Sequence, residues 1–361
     1  MDLWQQRLMQ SLTDPAAVAA RFGLDPALVT AVAVRYPVRL TPQLLTLIEG
    51  IDDPLGRQFL PDPLELAADD LADDPLAEAA LAPLPAVIHR YPSRALLLAG
   101  NGCAAYCRFC TRKRRVGCTA FHLPFDELLK GVDYIAAHPG IDEVIISGGD
   151  PLLLADDALN ELLGRLRRIP HLGVLRIATR VLTVLPERIT PALATLLGRQ
   201  APLYLTTHFN HPRELTPAAT EACSRLAGAG VPLANQTVLL RGVNDDADTL
   251  VALCGGLLRL RVRPYYLHQL DPVHGTGHFR VPIERGLELV AALRAKVSGL
   301  AVPHYILDLP GGRGKVALTP ERVVSLGPTA VIRTLQGEMV EVPNEEGEAS
   351  VPRVPVVVSA V

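Results

Sequence analysis

The stretch Asn101-Gly-Cys-Ala-Ala-Tyr-Cys-Arg-Phe-Cys-Thr-Arg-Lys-Arg-Arg115 packs three thiols and five cationic side chains into one short loop, with half of the protein's six cysteines in it. Cys103, Cys107 and Cys110 follow the spacing C-x3-C-x2-C, close enough for one loop to wrap a polynuclear centre, and thiolates are the ligands that hold iron–sulfur clusters. Three ligands for four irons leave one iron open to a small molecule, which points to a catalytic cluster rather than a sealed electron-transfer one. The alternative is a zinc loop, but a tetrahedral zinc site usually adds a second Cys/His pair downstream. Here Cys118, Cys223 and Cys254 are each isolated. The run from Arg112 to Arg115 reads either as a solvated turn or as cations that lower the thiol pKa values and balance cluster charge, and its place favours the second.

The loop follows a short apolar run at 95–99, and that placement governs the fold. Downstream, further apolar runs at 143–147, 174–179, 203–207, 233–239 and 263–268 alternate with amphipathic segments at 125–137, 159–168, 191–197, 217–229, 247–258 and 285–297. Strands alternating with helices predict βα units and a parallel sheet. Six units suit a partial barrel, since a complete one needs eight; an open doubly wound sheet is the alternative. Polar residues fall after the strands, where a barrel builds its site: the cysteine loop, Gly148-Gly149-Asp150-Pro151, His208, and the segment from His268 to Asp271, with Gln236 inside the fifth strand. The expected fold is therefore α/β, a partial (β/α)6 barrel over 86–300. A helical N-terminal extension over 1–85 precedes it, with helix starts at Asp14-Pro15 and Thr41-Pro42. A glycine-lysine loop and small β segment fill 301–342, and the Glu-, Pro- and Val-rich 343–361 reads as a mobile tail.

Composition narrows the function. A formal charge of −3 over 361 residues leaves no electrostatic footprint for nucleic acid. The apolar fraction is 49%, yet no uninterrupted run reaches the roughly 18–20 residues of a membrane helix. The opening Met1-Asp-Leu-Trp-Gln-Gln-Arg7 lacks a signal-peptide pattern. A soluble, cytoplasmic protein is expected, in a compartment that keeps grouped thiols reduced. Gly311-Gly312-Arg313-Gly314-Lys315 lacks the spacing and terminal Ser/Thr of a P-loop.

Together, the cysteine triad, Phe109 just before its third member, and Gly148-Gly149-Asp150-Pro151 resemble the signature of radical S-adenosylmethionine (SAM) enzymes. Further segments narrow this to the lysine 2,3-aminomutase family. They are His89-Arg-Tyr-Pro-Ser-Arg94, Thr207-His-Phe-Asn-His-Pro212, Asn235-Gln-Thr-Val-Leu-Leu-Arg-Gly-Val-Asn-Asp245, Arg263-Pro-Tyr-Tyr-Leu-His-Gln-Leu-Asp271 and Asp308-Leu-Pro-Gly-Gly-Arg-Gly-Lys315. The resemblance covers roughly 35–320. It implies a radical SAM partial barrel and a 4Fe-4S cluster on Cys103, Cys107 and Cys110. It places SAM near Gly148, Gly149, Asp150, His208 and Gln236. It also implies pyridoxal 5′-phosphate (PLP) attached to Lys315, its phosphate held by Arg90, Tyr91 and Arg94. Arg112 would take the substrate carboxylate, and Asp271 and Asp308 the distal ammonium of lysine.

The implied reaction is radical migration of lysine's α-amino group to the β-carbon, giving β-lysine. It draws on an electron donor such as flavodoxin or ferredoxin, in an enzyme expected to be a homo-oligomer. Arginine or glutamate as substrate, a lysine mutase serving translation-factor modification, and a non-catalytic iron–sulfur or zinc scaffold are the alternatives. Two departures stand out. Arg313 puts a bulky cation where lysine mutases carry glycine. No cysteine follows Cys254, and Asp246 stands where a zinc cysteine is expected, so a structural zinc is expected to be absent.

Overall fold

The computed structural model describes residues 1–67, 69, 71–319, 323–325, 329–333 and 338–343. The chain divides into two compact units, Met1–Leu318 and Thr319–Val361. The first opens with five short helices: α1 (Leu3–Met9), α2 (Pro15–Phe22), α3 (Pro26–Arg35), α4 (Pro42–Leu47) and α5 (Pro54–Phe59). Four of them start at Asp-Pro or Thr-Pro. Proline has no N–H to leave unsatisfied at the first helical position, and the side chain before it accepts from an orphan backbone donor. Asp14 takes Ala17 N at 2.8 Å and Asp25 takes Ala27 N at 2.8 Å.

The sheet of this unit has nine strands in chain order: β1 (Val87–Tyr91), β2 (Arg94–Leu98), β3 (Glu143–Ser147), β4 (Val174–Ala178), β5 (Leu203–Thr207), β6 (Leu233–Val238), β7 (Val262–His268), β8 (His304–Asp308) and β9 (Lys315–Ala317). Pairings from β2 to β8 are parallel; β1 and β9 are antiparallel and form the two open edges. The helices α6 (Phe125–Ala136), α7 (Asp156–Arg167), α8 (Val181–Val184), α9 (Pro191–Gly198), α10 (Pro217–Gly228), α11 (Ala247–Arg259) and α12 (Ile283–Lys296) lie in the crossovers. The expected six βα strands are all present. The sheet then exceeds that count, because 304–308 adds a seventh parallel strand and two short hairpins cap the edges. One hairpin makes a strand, β1, of 87–91, which is not among the expected strands.

Period-2 alternation sorts the side chains. Val144, Ile146, Leu175 and Ile177 are fully buried in the main core, while Ile145, Ser147, Arg176 and Ala178 line the inner cavity. Val18, Leu44, Leu55 and Phe59 of the N-terminal helices join the same core cluster as Leu97 and Val144. The extension is thus packed into the core of the first strands rather than tethered to them.

The second unit contains a three-stranded antiparallel sheet, β10 (Val323–Ser325), β11 (Thr329–Arg333) and β12 (Met339–Pro343). Of the segment read as a mobile tail, 344–361 lies outside the described residues. No helix among the described residues is long and apolar enough to cross a membrane.

Candidate active site

The loop after β2 places Cys103, Cys107 and Cys110 as free thiols at the C-terminal end of the sheet. Burial raises the Cys103 pKa well above the ordinary thiol range, with Asp150 and the other two thiols adding to the effect; burial also pushes Cys110 up to about 11. The adjacent cations Arg112 and Lys113 do pull the Cys110 value down as expected, but burial outweighs them. Those cations are spent on carboxylates of the preceding segment: Lys113 pairs with Glu65 at 2.5 Å, Arg112 with Glu78 at 2.7 Å and Arg114 with Asp74 at 2.6 Å. Arg115 lies over the Phe121 ring. The guanidinium that touches the thiols is Arg180, just past β4, donating from Nη1 to Cys107 Sγ at 2.7 Å.

The turn after β3 presses against the cysteine loop. Gly149 N donates to Gly100 O at 2.7 Å and Asp150 N to Gly102 O at 2.8 Å. A Cβ on Gly148, whose φ is +110°, would meet Gly100 O at 2.5 Å, and one on Gly149 would meet Gly102 O at 2.2 Å. The glycines are required by this backbone-to-backbone contact. The Asp150 carboxylate is engaged inward, accepting from Thr179 Oγ1 at 2.7 Å, Arg180 N at 2.8 Å and Leu152 N at 3.1 Å. It ties the β3 turn to the end of β4.

A cavity of about 390 Å³ opens inside the sheet, and Arg90, Tyr91, Arg94, Arg112, Gln236, Asp308 and Lys315 all line it. At its centre Asp308 accepts from Arg90 Nη1 at 3.1 Å and pairs with Lys315 Nζ; His268 Nδ1 stands 3.8 Å away. Tyr91 Oη accepts from Lys315 N at 3.0 Å, and the Arg94 guanidinium lies over the Tyr91 ring at 4.4 Å. Arg112 donates through Nε and Nη2 to Glu78 and through Nη1 to Ser147 Oγ at 3.3 Å. Asp271 sits beside this group with Oδ2 on Thr111 Oγ1 at 2.6 Å and Oδ1 buried without a partner. His208 stacks on Phe109 with centroids 5.7 Å apart, its Nε2 buried and unpartnered. Burial drives the His208 pKa well below normal and takes His268 to about 3, so both rings are neutral. Arg313 is exposed and outside the cavity lining.

Residues 97–254 match the family model of the radical SAM superfamily, and 290–351 that of lysine-2,3-aminomutase. The chain is 45% identical over 303 residues to an L-lysine 2,3-aminomutase of Fusobacterium nucleatum, covering 82% of this chain and 71% of that protein. With an L-lysine 2,3-aminomutase of Clostridium subterminale the identity is 46% over 303 residues, covering 82% of this chain and 73% of that protein. The chain belongs to the lysine 2,3-aminomutase family. Radical SAM membership brings a 4Fe-4S cluster and SAM as cofactors. A glutamate 2,3-aminomutase of Clostridioides difficile is also similar, 39% identical over 317 residues, 87% of this chain and 75% of that protein.

The donor set of this aminomutase-family chain suits the cluster: three unpaired thiols on one loop, mutually close enough for Cys107 and Cys110 to raise the Cys103 pKa. Among the described residues, no three His, Cys, Asp or Glu side chains gather around a point that would hold a single metal ion. Asp246 caps α11 through Thr249 N at 2.8 Å. Residues that sequence reasoning passed over are Arg180, Glu78, and the inward strand positions Ser147, Arg176, Thr206, Tyr265 and Tyr266. A signal for one of them was available: a lone arginine within Val174-Leu-Arg-Ile-Ala178 must face away from Leu175 and Ile177.

Proposed function

We propose that this protein is a PLP-dependent L-lysine 2,3-aminomutase, moving the α-amino group of lysine to the β-carbon to give β-lysine. The observation that carries this reading is the pairing of Lys315 Nζ with Asp308, beside the buried and unpartnered Asp271 Oδ1. Lys315 Nζ is a primary ammonium on an alkyl chain and stands in for the distal end of a lysine substrate. Two buried carboxylates at that spot attract such a cation and repel the side-chain carboxylate of glutamate.

PLP fits the cavity by its chemistry. Lys315 offers the primary amine, Arg90 and Arg94 are cations suited to a phosphate, and the buried Nε atoms of Arg94 and Arg176 have no protein partner. When bound, SAM with the cluster supplies the hydrogen-abstracting radical and PLP supplies stabilisation of the migrating centre. The chain's own residues bind and orient. Arg112 lines the cavity and would take the substrate carboxylate alongside its pairing with Glu78, while Asp271 and Asp308 hold the distal ammonium. Tyr91 fixes the backbone of Lys315, so that its side chain reaches the cavity from the open β9 edge. A low-potential donor such as flavodoxin or ferredoxin would supply the electron, in a cytoplasmic homo-oligomer.

The test is an anaerobic assay of reconstituted protein with SAM, PLP and dithionite on lysine, arginine and glutamate, with products resolved by mass spectrometry. β-Lysine from lysine alone, abolished in Lys315→Ala and Cys107→Ala, is the expected result. Absence of lysine turnover in protein with a full cluster and bound PLP overturns the assignment.

A further inference from the structure

Arg180 is not part of the cysteine loop, yet its guanidinium is hydrogen-bonded to one of the loop's thiols. Its Nη1 donates to Cys107 Sγ at 2.7 Å, its Nη2 to Gln58 Oε1 at 2.6 Å and Glu214 Oε1 at 2.8 Å, and its backbone N–H to Asp150 Oδ2 at 2.8 Å. The guanidinium lies over the Phe59 ring at 4.4 Å and near the Phe109 ring at 5.4 Å, and the residue is 8% exposed. A side chain fixed from several directions presents a permanent donor and a positive charge to one ligand sulfur. Glu214 balances that charge from the same guanidinium and is itself held by Asn210 N and His211 N.

We propose that Arg180 raises the reduction potential of the iron–sulfur cluster carried by Cys103, Cys107 and Cys110, with Glu214 as the opposing charge that trims the effect. The inference rests on the cluster reading of the thiol loop and is independent of the amino acid substrate. Reduction adds one electron from a low-potential donor to the 4Fe-4S core, taking it from 2+ to 1+ with no bond made or broken. Negative charge on the sulfurs therefore grows, and a buried cation hydrogen-bonded to one of them stabilises the reduced form more than the oxidised one. In a low-dielectric setting that preference is large, and Glu214, one guanidinium further away, subtracts a smaller amount.

The experiment compares wild type, Arg180→Gln, Arg180→Lys and Glu214→Gln, each reconstituted anaerobically. Iron and sulfide content is measured first, and a dithionite redox titration then follows the electron paramagnetic resonance signal of the reduced cluster. In Arg180→Gln the reduced-to-oxidised ratio at a fixed potential should fall about tenfold, equivalent to about 59 mV for a one-electron couple. Arg180→Lys should fall between it and wild type, and Glu214→Gln should move the other way. A purely structural role would lower cluster content in both charge variants without opposite shifts of midpoint. An unchanged midpoint in fully loaded Arg180→Gln overturns the proposal, as do shifts of the same sign in both. Should Arg180→Gln take up no cluster, an unchanged midpoint in Glu214→Gln overturns it instead. A wild type that binds no iron and sulfide overturns the cluster reading itself, an outcome separate from any shift of midpoint.

Discussion

Asp271 shows at the residue scale how one buried carboxyl can serve both stability and selectivity. Burial pushes its pKa from the ordinary 3.8 to about 6; Thr111's hydrogen bond opposes the rise and the charge of Asp308 adds to it. The folded state therefore holds more protons than the unfolded one between about pH 4 and pH 6, and stability falls as pH rises through that window. Above pH 6 the ionised group is a cost. Asp271→Asn should then stabilise the protein by on the order of 1–3 kcal/mol at neutral pH, with the gain vanishing near pH 4, as read by urea unfolding at several pH values. The same carboxylate is the proposed ligand for the distal ammonium. Wild-type KM for lysine should rise as pH drops through about 6, whereas the Asn variant should show a KM that is high and insensitive to pH over that range. A parallel pH profile for both proteins would remove Asp271 from substrate binding.

At the scale of elements, the turn after β3 and the cysteine loop form one unit through backbone contact. Gly149→Ala sets a Cβ 2.2 Å from Gly102 O, and backbone atoms on both sides cannot yield as a flexible side chain would. Iron and sulfide content should fall by at least half in this variant. Gly164→Ala is the control: it lies within α7 with no atom within 4 Å of the added Cβ, and should keep a full cluster while gaining roughly 0.5–1 kcal/mol from helix propensity. Equal cluster content in the two proteins would show that the close approach is dispensable. These elements also mark the boundary of what sequence makes legible. The strands from β2 to β7 announce themselves through short apolar runs, and the cysteine and glycine-lysine loops through unusual spacing. The edge strands β1 and β9 carry no such pattern, because each is short and partly polar and is held by its hairpin partner. Arg180 was hidden for another reason: its role comes from a contact with Cys107, 73 residues away in sequence. The same holds for Glu78, whose acidic segment reads as a polar link until Arg112 is seen to lie against it.

Across the whole molecule, three acids of the N-terminal segment, Glu65, Asp74 and Glu78, couple it to the cysteine loop, and Glu65 is the most buried of them. Glu65, in the helical turn Pro63–Leu66, is fully buried and accepts from Arg108 Nη2 at 2.6 Å and Nε at 2.9 Å, with Lys113 Nζ at 2.5 Å. Arg108, 1% exposed, also donates to Pro37 O at 2.9 Å and Tyr36 O at 3.3 Å, and Lys113 to Gly275 O at 2.9 Å. Burial works to raise the Glu65 pKa, but the two cations outweigh it and hold the carboxyl below its usual range; burial also takes Lys113 down to about 8. One carboxylate thus neutralises two cations that flank Cys110, joining the helical extension, the cysteine loop and the 271–279 loop. Replacing it with a neutral amide leaves two buried cations sharing no anion, a loss on the order of 3–5 kcal/mol. Because Glu65 is ionised in the folded state at a lower pH than when unfolded, its stabilisation is present above the ordinary carboxylate pKa and fades as pH falls below it. Glu65→Gln should therefore lower the melting temperature at pH 7 by several degrees, and the gap to wild type should narrow as pH is taken below about 4. It should also weaken cluster retention, because Arg108 lies between Cys107 and Cys110 and would keep only its contacts to the Pro37 and Tyr36 carbonyls on the N-terminal side, with no anion to balance its charge. A variant with the wild-type melting temperature and full iron content would mean that the other contacts, Arg112 with Glu78, Arg114 with Asp74 and Arg108 with the Pro37 and Tyr36 carbonyls, suffice to hold the cysteine loop.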